Sequence, residues 1–278
     1  FVEKSEYASA IKAGVKVTVD NLYPLLQWPE IFKGADICAR IDPGQGLGHH
    51  KYVHTGGAKS KFGIVREDIE VLKSSAKKAG AKIVALHAHS GSNIFKPDAW
   101  STVYLFLAEL AQSFPDVRAI DVGGGLGVSE KPGQPPLDIA STNAELTKAK
   151  EAFPNLELWI EPGRFLIAEA GILVTRVTQV KQKKDFCYIG VNAGMNALIR
   201  PALYGAYHEI CNISRPEGES VIASIVGPIC ESGDFLGHAR LITKPESGDV
   251  ITIATAGAYG RAMSSCYNMR QPPEEMFI

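Results

Sequence analysis

Between Lys16 and Arg164 the chain alternates short runs of β-branched and apolar residues with longer segments of helical periodicity. This alternation is typical of repeated βα units around a parallel sheet, because parallel neighbours need a crossover connection between them. Five strands are predicted, at residues 16–20, 37–42, 83–89, 117–122 and 156–161. The spacing of apolar residues also predicts helices at 67–79, ending before Gly80, and at 100–112.

The pattern changes after Gly171. Strand-like runs at 172–180, 221–226 and 250–254 are separated by segments that contain Gly, Pro and Asp. We therefore predict two domains. Residues 1–170 form part of a β/α barrel, and residues 171–278 form a β-rich C-terminal domain.

The composition excludes several classes of function. The chain is 45% hydrophobic and 21% charged with a net charge of −1, which is typical of a soluble globular protein without a basic surface for nucleic acid. No uncharged apolar stretch reaches the ~18 residues that a membrane span needs. The five cysteines are an odd number, show no CxxC spacing and lie mostly in apolar stretches, which indicates core positions and a reducing cytoplasm. A small-molecule partner is expected.

Polar motifs follow three of the predicted strands. They are His-Ala-His-Ser-Gly-Ser at 87–92, Asp-Val-Gly-Gly-Gly-Leu-Gly at 121–127 and Glu-Pro-Gly-Arg at 161–164. Ligands of β/α barrels bind at the C-terminal ends of the strands. These three motifs are therefore expected to carry the chemistry.

Gly123, Gly124 and Gly125 form a cluster at a predicted strand-to-helix turn. Without side chains, their backbone N–H groups can approach an anion closely, and a helix N-terminus would add positive potential, which suits a phosphate. A plain tight turn is the competing interpretation. Arg164 favours the anion site, since its guanidinium can bind the same anion or a substrate carboxylate.

Glu161 directly follows an apolar strand, where a carboxylate needs a cationic or strongly donating partner. The protonated ring nitrogen of a pyridine cofactor would serve, and a salt bridge is the alternative.

His87 and His89 form an HxH pair, which could bind a metal, have a structural role, or provide an aromatic platform under a cofactor. A three-histidine metal site would need a further ligand from His49, His50 or His54. The platform is therefore favoured, and no metal is expected.

The β-rich part carries three further candidates. Cys230 and Glu231 are adjacent in a glycine-flanked turn, although core packing explains a lone cysteine about as well. Tyr259 lies on a bend between two glycines, where its hydroxyl could bind phosphate. Arg200 and Tyr204 together suit a carboxylate substrate, and a surface salt bridge would explain the arginine equally well.

Taken together, six motifs in order resemble the motif series of diaminopimelate decarboxylases, which are pyridoxal-phosphate enzymes related to ornithine and arginine decarboxylases. The motifs are HAHSGS, DVGGGLG, EPGR, GMNALIRPALYGAYH, GPICESGD and AGAYGRAMSSCYNMR. Residues 46–51 further resemble the subtype fused to an aspartate kinase. One departure is Ser90, where the family usually has isoleucine or valine.

The resemblance implies a (β/α)8 TIM-like barrel, of which the last five strands are present, a β-rich C-terminal domain and a pyridoxal 5′-phosphate cofactor. His89 would stack on the pyridine ring, and Glu161 would keep the ring nitrogen protonated so that the ring accepts electrons as carbon dioxide leaves. The residues implied around the cofactor phosphate are Ser92, Gly123, Gly124, Gly125 and Tyr259.

The resemblance also implies how the substrate is bound. Arg164, Arg200 and Tyr204 would hold its distal carboxylate, with Arg164 and Tyr259 shared between cofactor and substrate. Glu231 would hold the distal amine, and Cys230 would return a proton to the α-carbon. In this family Cys230 and Glu231 reach the active site of a partner subunit, so a homodimer with shared active sites is expected.

The expected reaction is decarboxylation of meso-2,6-diaminopimelate to L-lysine. The alternatives are a related decarboxylase acting on ornithine, arginine or carboxynorspermidine, a catalytically inactive cofactor-binding homologue, and a metal-dependent barrel hydrolase. The pairing of Arg200 with Tyr204 favours a substrate with a distal carboxylate, and Cys230 beside Glu231 speaks against an inactive homologue.

The number of readable strands predicts that the encoded protein is longer. A closed β/α barrel has about eight strands, so three units, on the order of 90 residues, are expected before Phe1. The family's Schiff-base lysine lies on the first barrel strand, and no lysine here, such as Lys16 or Lys61, stands in a matching motif. The resemblance therefore places that lysine upstream of Phe1.

Overall fold

The computed structural model describes residues 1–44 and 60–278. His49, His50, His54 and the motif at 46–51 lie outside the described residues, so the predictions that use them stay predictions. The described chain forms two compact units, one of Phe1–Gly127 and Pro136–Pro162, the other of Val128–Pro135 and Gly163–Ile278.

The first unit contains a parallel sheet of five strands that follow one another in chain order. The strands are β1 (Val17–Val19), β2 (Asp36–Arg40), β3 (Lys82–His87), β4 (Ala119–Asp121) and β5 (Glu157–Trp159). The five predicted strands are confirmed; each is shorter than predicted, and β2 and β3 begin one residue earlier. Parallel pairing places His87 beside Asp121 and Asp121 beside Trp159, so the C-terminal ends of β3, β4 and β5 meet at one edge of the sheet.

In residues 1–44 and 60–162, five α-helices accompany this sheet. They are α1 (Lys4–Lys12), α2 (Tyr23–Gln27), α3 (Ile69–Ala79), α4 (Ala99–Ala111) and α5 (Ile139–Glu151), with 3-10 turns at Pro29–Phe32 and Arg66–Asp68. The predicted end of α3 is confirmed, because Gly80 has a φ of 72°, the left-handed conformation that ends a helix. The buried faces of α3 and α4 pack on the sheet through side chains such as Leu72 and Leu107.

The helix predicted directly after the glycine cluster is absent, so that part of the prediction is wrong. The next helix, α5, begins only at Ile139, where Asp138 caps it by accepting a hydrogen bond from the N–H of Ser141. After the cluster, the backbone instead pairs with a neighbouring loop: Ile94 donates to the carbonyl of Gly125 at 2.9 Å, and Gly127 donates to the carbonyl of Ile94 at 2.9 Å. The helix that follows the cluster in the chain therefore does not begin at these glycines.

The second unit is built around a six-stranded sheet in the order β10-β9-β7-β6-β11-β8. The strands are β6 (Leu173–Lys183), β7 (Phe186–Val191), β8 (Ile210–Asn212), β9 (Ser220–Val226), β10 (Phe235–Thr243) and β11 (Val250–Ile253). Only β7 and β9 pair in parallel, and the other pairs are antiparallel. Two short helices, α6 (Gly163–Ile167) and α7 (Arg200–Tyr204), and 3-10 turns at Ala168–Ala170 and Tyr267–Met269 complete it. The predicted β-rich character is confirmed.

The cysteines are less buried than the sequence predicted. Cys38 is buried, but Cys211, Cys230 and Cys266 are exposed. Cys211 lies on the outward-facing position of β8, between two buried residues, and the other two lie in turns or loops. An apolar stretch therefore did not imply a core position here, because alternate residues of a strand face opposite sides. In the described part of the chain, no helix is both long and apolar enough to cross a membrane.

Candidate functional site

The predicted site residues fall into two groups, one in each unit. In the first unit they lie just beyond the ends of β3, β4 and β5, and they are His89, Ser92, Gly123, Gly124, Gly125 and Glu161. In the second unit they are Arg164, Arg200, Tyr204, Cys230, Glu231 and Tyr259.

His89 is held by the glycine turn. The N–H of Gly124 donates to His89 Nδ1 at 3.1 Å, so Nδ1 is the acceptor nitrogen and the proton lies on Nε2. Burial, followed by the charge of Arg40, lowers the pKa of His89 to about 4. The imidazole is therefore neutral at neutral pH, with a fixed tautomer and a fixed orientation. Its neighbour Ser90, the departure from the family pattern, is buried.

The three glycines allow the strand ends to pack closely. A Cβ at Gly124 would lie 2.1 Å from the carbonyl oxygen of Glu161, and one at Gly125 would lie 2.1 Å from that of Gly91. Trp100 on α4 also holds this turn in place, since its Nε1 donates a hydrogen bond to the carbonyl of Gly124 at 2.9 Å. The tight-turn interpretation thus accounts for much of this motif.

The same turn leaves one amide for a ligand. The N–H of Gly123 donates to Asp121 Oδ1 at 2.9 Å, and that of Gly124 is taken by His89. Within the described residues the N–H of Gly125 makes no hydrogen bond. An anion at this turn would therefore be bound by one backbone donor of the cluster rather than by three.

Glu161 lies in a small cluster with His87 and Asp121. One potential ligand atom from each of the three lies within 4.8 Å of the others. His87 Nε2 is 3.4 Å from Glu161 Oε2, an electrostatic contact rather than a well-formed hydrogen bond, and neither nitrogen of His87 is hydrogen-bonded within the described chain. The contact with His87 lowers the pKa of Glu161, whereas burial raises that of Asp121. Glu161 is therefore ionised at neutral pH and can pair with a cation.

Sequence reasoning missed Arg40 in this unit. It is the last residue of β2, its Nη1 lies 3.6 Å from Asp20 Oδ1, and its guanidinium stacks 4.4 Å from the ring centre of Phe62. Its charge also acts on both His89 and Glu161. An arginine at the end of an otherwise apolar strand is the signal that could have found it.

Two of the predicted residues in the second unit converge on one carboxylate. Arg164 Nη1 and Arg200 Nη2 both donate to Glu130 Oε1, each at 3.0 Å. The side chains of Glu130, Arg164 and Arg200 are 11%, 11% and 8% exposed, so this arrangement is buried. Burial, followed by the charge of Arg200, lowers the pKa of Arg164, and the charge and hydrogen bond of Glu130 act in the opposite direction.

His208, which lies just before β8, completes this network. Its Nδ1 lies 2.8 Å from the carbonyl oxygen of Ala254, which can only accept, so Nδ1 carries the proton and Nε2 accepts from Arg200 Nη1 at 3.1 Å. Burial lowers the pKa of His208 to about 4, consistent with a neutral ring. Neither Glu130 nor His208 was predicted, because Glu130 lies in a polar loop without a recognisable pattern and His208 is a lone histidine.

The remaining predicted residues lie on turns of the second unit. Cys230 and Glu231 are exposed, and Glu231 Oε2 accepts a hydrogen bond from the hydroxyl of Tyr267 at 3.2 Å. Tyr259 is 49% exposed, and its φ of 64° is a left-handed conformation that is uncommon for a residue with a side chain. Tyr204 ends α7, next to Gly205 with a φ of 63°.

Comparison with known proteins adds independent information. The model of a family described as pyridoxal-dependent decarboxylase, pyridoxal binding domain, matches residues 2–168. Diaminopimelate decarboxylase of Methanothermobacter thermautotrophicus is 37% identical over 290 residues, which cover 100% of this chain and 68% of that protein. The enzyme of that name from Aquifex aeolicus is 39% identical over 254 residues, covering 88% and 60%.

Solved structures are similar as well. The crystal structure of diaminopimelate decarboxylase from Helicobacter pylori complexed with L-lysine superimposes with a TM-score of 0.88 at 31% identity, covering 96% of this chain and 68% of that one. The chain thus spans 60–68% of the length of these relatives.

Proposed function

The chain belongs to the pyridoxal-dependent decarboxylase family and, within it, to the diaminopimelate decarboxylases, and from this premise we propose that the protein decarboxylates meso-2,6-diaminopimelate to L-lysine. The family match confirms the resemblance drawn from the six motifs, and the cofactor that it implies is pyridoxal 5′-phosphate. Because the chain spans 60–68% of its relatives, the reaction is proposed for the whole protein.

The residues of the first unit fit this cofactor. His89 is neutral and fixed in orientation, which suits a ring that lies flat against an aromatic face. Glu161 is ionised at neutral pH, which suits a protonated pyridine nitrogen. The N–H of Gly125, which has no hydrogen-bond partner among the described residues, would bind the phosphate together with Ser92 and Tyr259. When bound, the cofactor supplies an electron sink for the bond that breaks as carbon dioxide leaves.

One observation carries the choice of substrate class. Arg164 and Arg200 already converge on one carboxylate oxygen, that of Glu130, so their guanidinium groups are arranged to recognise a carboxylate. Ornithine and arginine have no distal carboxylate, whereas diaminopimelate has one. Tyr204, one turn beyond Arg200 on α7, would add a hydroxyl to this recognition.

Cys230 and Glu231 would act across a dimer interface. Their exposure on a turn leaves them accessible to a second subunit. There Cys230 would donate the proton that replaces the lost carboxyl group on the α-carbon, and Glu231 would hold the distal amine. We further propose that the protein is a cytoplasmic homodimer. The Schiff-base lysine that the resemblance places upstream of Phe1 stays a prediction.

Release of carbon dioxide by the full-length protein tests the proposal. With pyridoxal 5′-phosphate present, we expect turnover of meso-diaminopimelate and at least tenfold lower kcat/KM for ornithine and arginine. A preference for ornithine or for arginine would contradict the substrate assignment. Arg200→Gln should raise KM for diaminopimelate, while the exposed Lys244→Gln, a matched loss of one charge in the same unit, should not.

A further inference from the structure

Asp234 ends the turn that carries Cys230 and Glu231, and it is buried although that turn is exposed. Residues 230–233 are exposed, whereas Ile229 before them and Asp234 after them are 7% and 3% exposed. A buried carboxylate needs hydrogen-bond donors, because its removal from water is otherwise costly. The donors that reach Asp234 therefore identify the segments that this side chain holds together.

The carboxylate of Asp234 accepts backbone N–H groups from two separate segments. Its Oδ2 accepts from the N–H of Ile229 at 2.7 Å, and its Oδ1 accepts from the N–H of Met195 at 2.6 Å. The backbone of Asp234 also closes the turn, since its N–H donates to the carbonyl of Glu231 and its carbonyl accepts from the N–H of Gly227, both at 3.1 Å. Both ends of the exposed turn are thus fixed by one buried residue.

Two glycines leave the space that this carboxylate occupies. A Cβ at Gly227 would lie 2.3 Å from Asp234 Oδ2, and a Cβ at Gly194 would lie 2.7 Å from the same atom. Atoms in a packed interior do not approach this closely, so a side chain at either position would displace the carboxylate. The glycines of two separate sequence motifs therefore fit around one side chain, that of Asp234.

The segment on the other side of Asp234 leads into α7. Met195 is followed by a turn in which the N–H of Leu198 donates to the carbonyl of Gly194 at 3.2 Å, and α7 then begins at Arg200. The side chain of Asp234 thus joins the turn that carries Cys230 to the segment that precedes Arg200.

We infer that Asp234 is a positioning residue that determines where Cys230 presents its thiol to the reacting α-carbon. A proton donor must lie within hydrogen-bond distance of the atom that it protonates, so a small displacement of the turn would slow the transfer. The role in proton return rests on the proposed function. The fixation of the turn follows from the hydrogen bonds of Asp234 alone.

Asp234→Asn tests the fixation of the turn with little change in side-chain volume. An amide has one acceptor oxygen, so its NH2 group would face one of the two backbone N–H groups and that hydrogen bond would be lost. Amide hydrogen exchange of the cofactor-loaded full-length protein measures this by mass spectrometry. We expect the N–H of Met195 or of Ile229 to exchange about tenfold faster than in wild type. Asp185→Asn removes an exposed carboxylate from the same unit and should leave both rates unchanged.

The reaction provides a second readout, which separates positioning of the proton donor from a general structural role. With enzyme in excess over meso-diaminopimelate, carbon dioxide leaves before Cys230 would return the proton. Asp234→Asn should slow the appearance of free L-lysine about tenfold, while carbon dioxide release in the first turnover stays close to that of wild type. Gly194→Ala, which displaces the carboxylate without removing it, should separate the two steps in the same way.

Unchanged exchange at Met195 and Ile229 in Asp234→Asn would overturn the inference, as would an equal slowing of carbon dioxide release and lysine formation. If neither variant folds, the wild-type protein decides: rapid exchange of these two amides overturns the inference, and slow exchange supports it. A wild-type protein that protects both amides but does not decarboxylate diaminopimelate would count against the proposed function and not against the fixation of the turn by Asp234.

Discussion

At the scale of single residues, buried histidines show how an environment selects a protonation state. His208 is fully buried, and its ring is held between the carbonyl of Ala254 and the guanidinium of Arg200. A second proton would have to be placed on Nε2, which faces a cation. Burial therefore lowers the pKa to about 4, well below the ordinary value of 6.5.

The lowered pKa of His208 predicts a pH-dependent stability. Between pH 6.5 and about 4 the unfolded chain binds a proton that the folded protein does not, so stability is fully present above pH 6.5 and is lost as the pH falls toward 4. The loss attributable to His208 is about 3 kcal/mol at most. Urea unfolding at a series of pH values should show a shallower dependence in His208→Gln than in wild type. The exposed His238→Gln is the control, and a slope that is the same in all three proteins would refute the assignment.

Gly124 is a position at which the fold leaves no room for a side chain. A Cβ there would meet the carbonyl oxygen of Glu161 at 2.1 Å, and backbone on the next strand cannot move away easily. Gly124→Ala should therefore lower the free energy of unfolding by about 2–3 kcal/mol. Gly163→Ala, where a Cβ meets nothing within 4 Å, should change it little in the same denaturation experiment. Equal effects of the two substitutions would contradict the packing argument.

At the scale of elements, the periodicity of apolar residues predicted whether a segment is a helix or a strand. It did not predict which other segments of the chain it contacts. The apolar spacing of α3 and its end at Gly80 could be read from the sequence, as could the five parallel strands. The helix expected after Gly125 was wrong because the carbonyl of Gly125 and the N–H of Gly127 pair with Ile94 instead. Ile94 is distant from these glycines in the sequence, so local sequence patterns contain no information about this pairing.

Helix α3 provides a test of its predicted buried face. Leu72 is fully buried in the core of the first unit, whereas its neighbour Val71 is 42% exposed. Leu72→Ala should cost about 2–5 kcal/mol of unfolding free energy, because it removes buried methyl groups and leaves a cavity. Val71→Ala should cost no more than about 0.5 kcal/mol. Chemical denaturation of the two variants measures both, and a larger loss for Val71→Ala would show that the assigned face is incorrect.

At the scale of the whole molecule, the proposed dimer predicts that two inactive variants can restore activity when their subunits pair. His89 and Cys230 are assigned to one reaction, and the proposal places them in the same active site from different subunits. His89→Ala and Cys230→Ala should each be nearly inactive alone. Unfolded together and refolded at equal concentrations, they should recover about a quarter of wild-type activity, since half of the dimers are mixed and each has one intact site.

The control for this experiment is a mixture of His89→Ala with Glu161→Ala. Both residues belong to the first unit, so neither arrangement of subunits would restore an intact site. Recovery in this control as well, or no recovery with Cys230→Ala, would argue against active sites shared between subunits.

The sequence by itself determined the elements, the family and the positions at which chemistry-bearing residues occur. Hydrophobic spacing is a local property, and glycine or charged residues directly after strands are visible in the chain order. This was enough to identify His89, the glycine cluster, Glu161 and the two arginines as candidates.

Only the tertiary structure decided which partners the hydrogen-bonding and charged groups of those residues have. Two findings follow from contacts between segments that are distant in the sequence: Glu130 bridges Arg164 and Arg200, and the N–H of Gly124 fixes the tautomer of His89. Hydrogen-bond partners and buried charges depend on three-dimensional distance rather than on sequence separation.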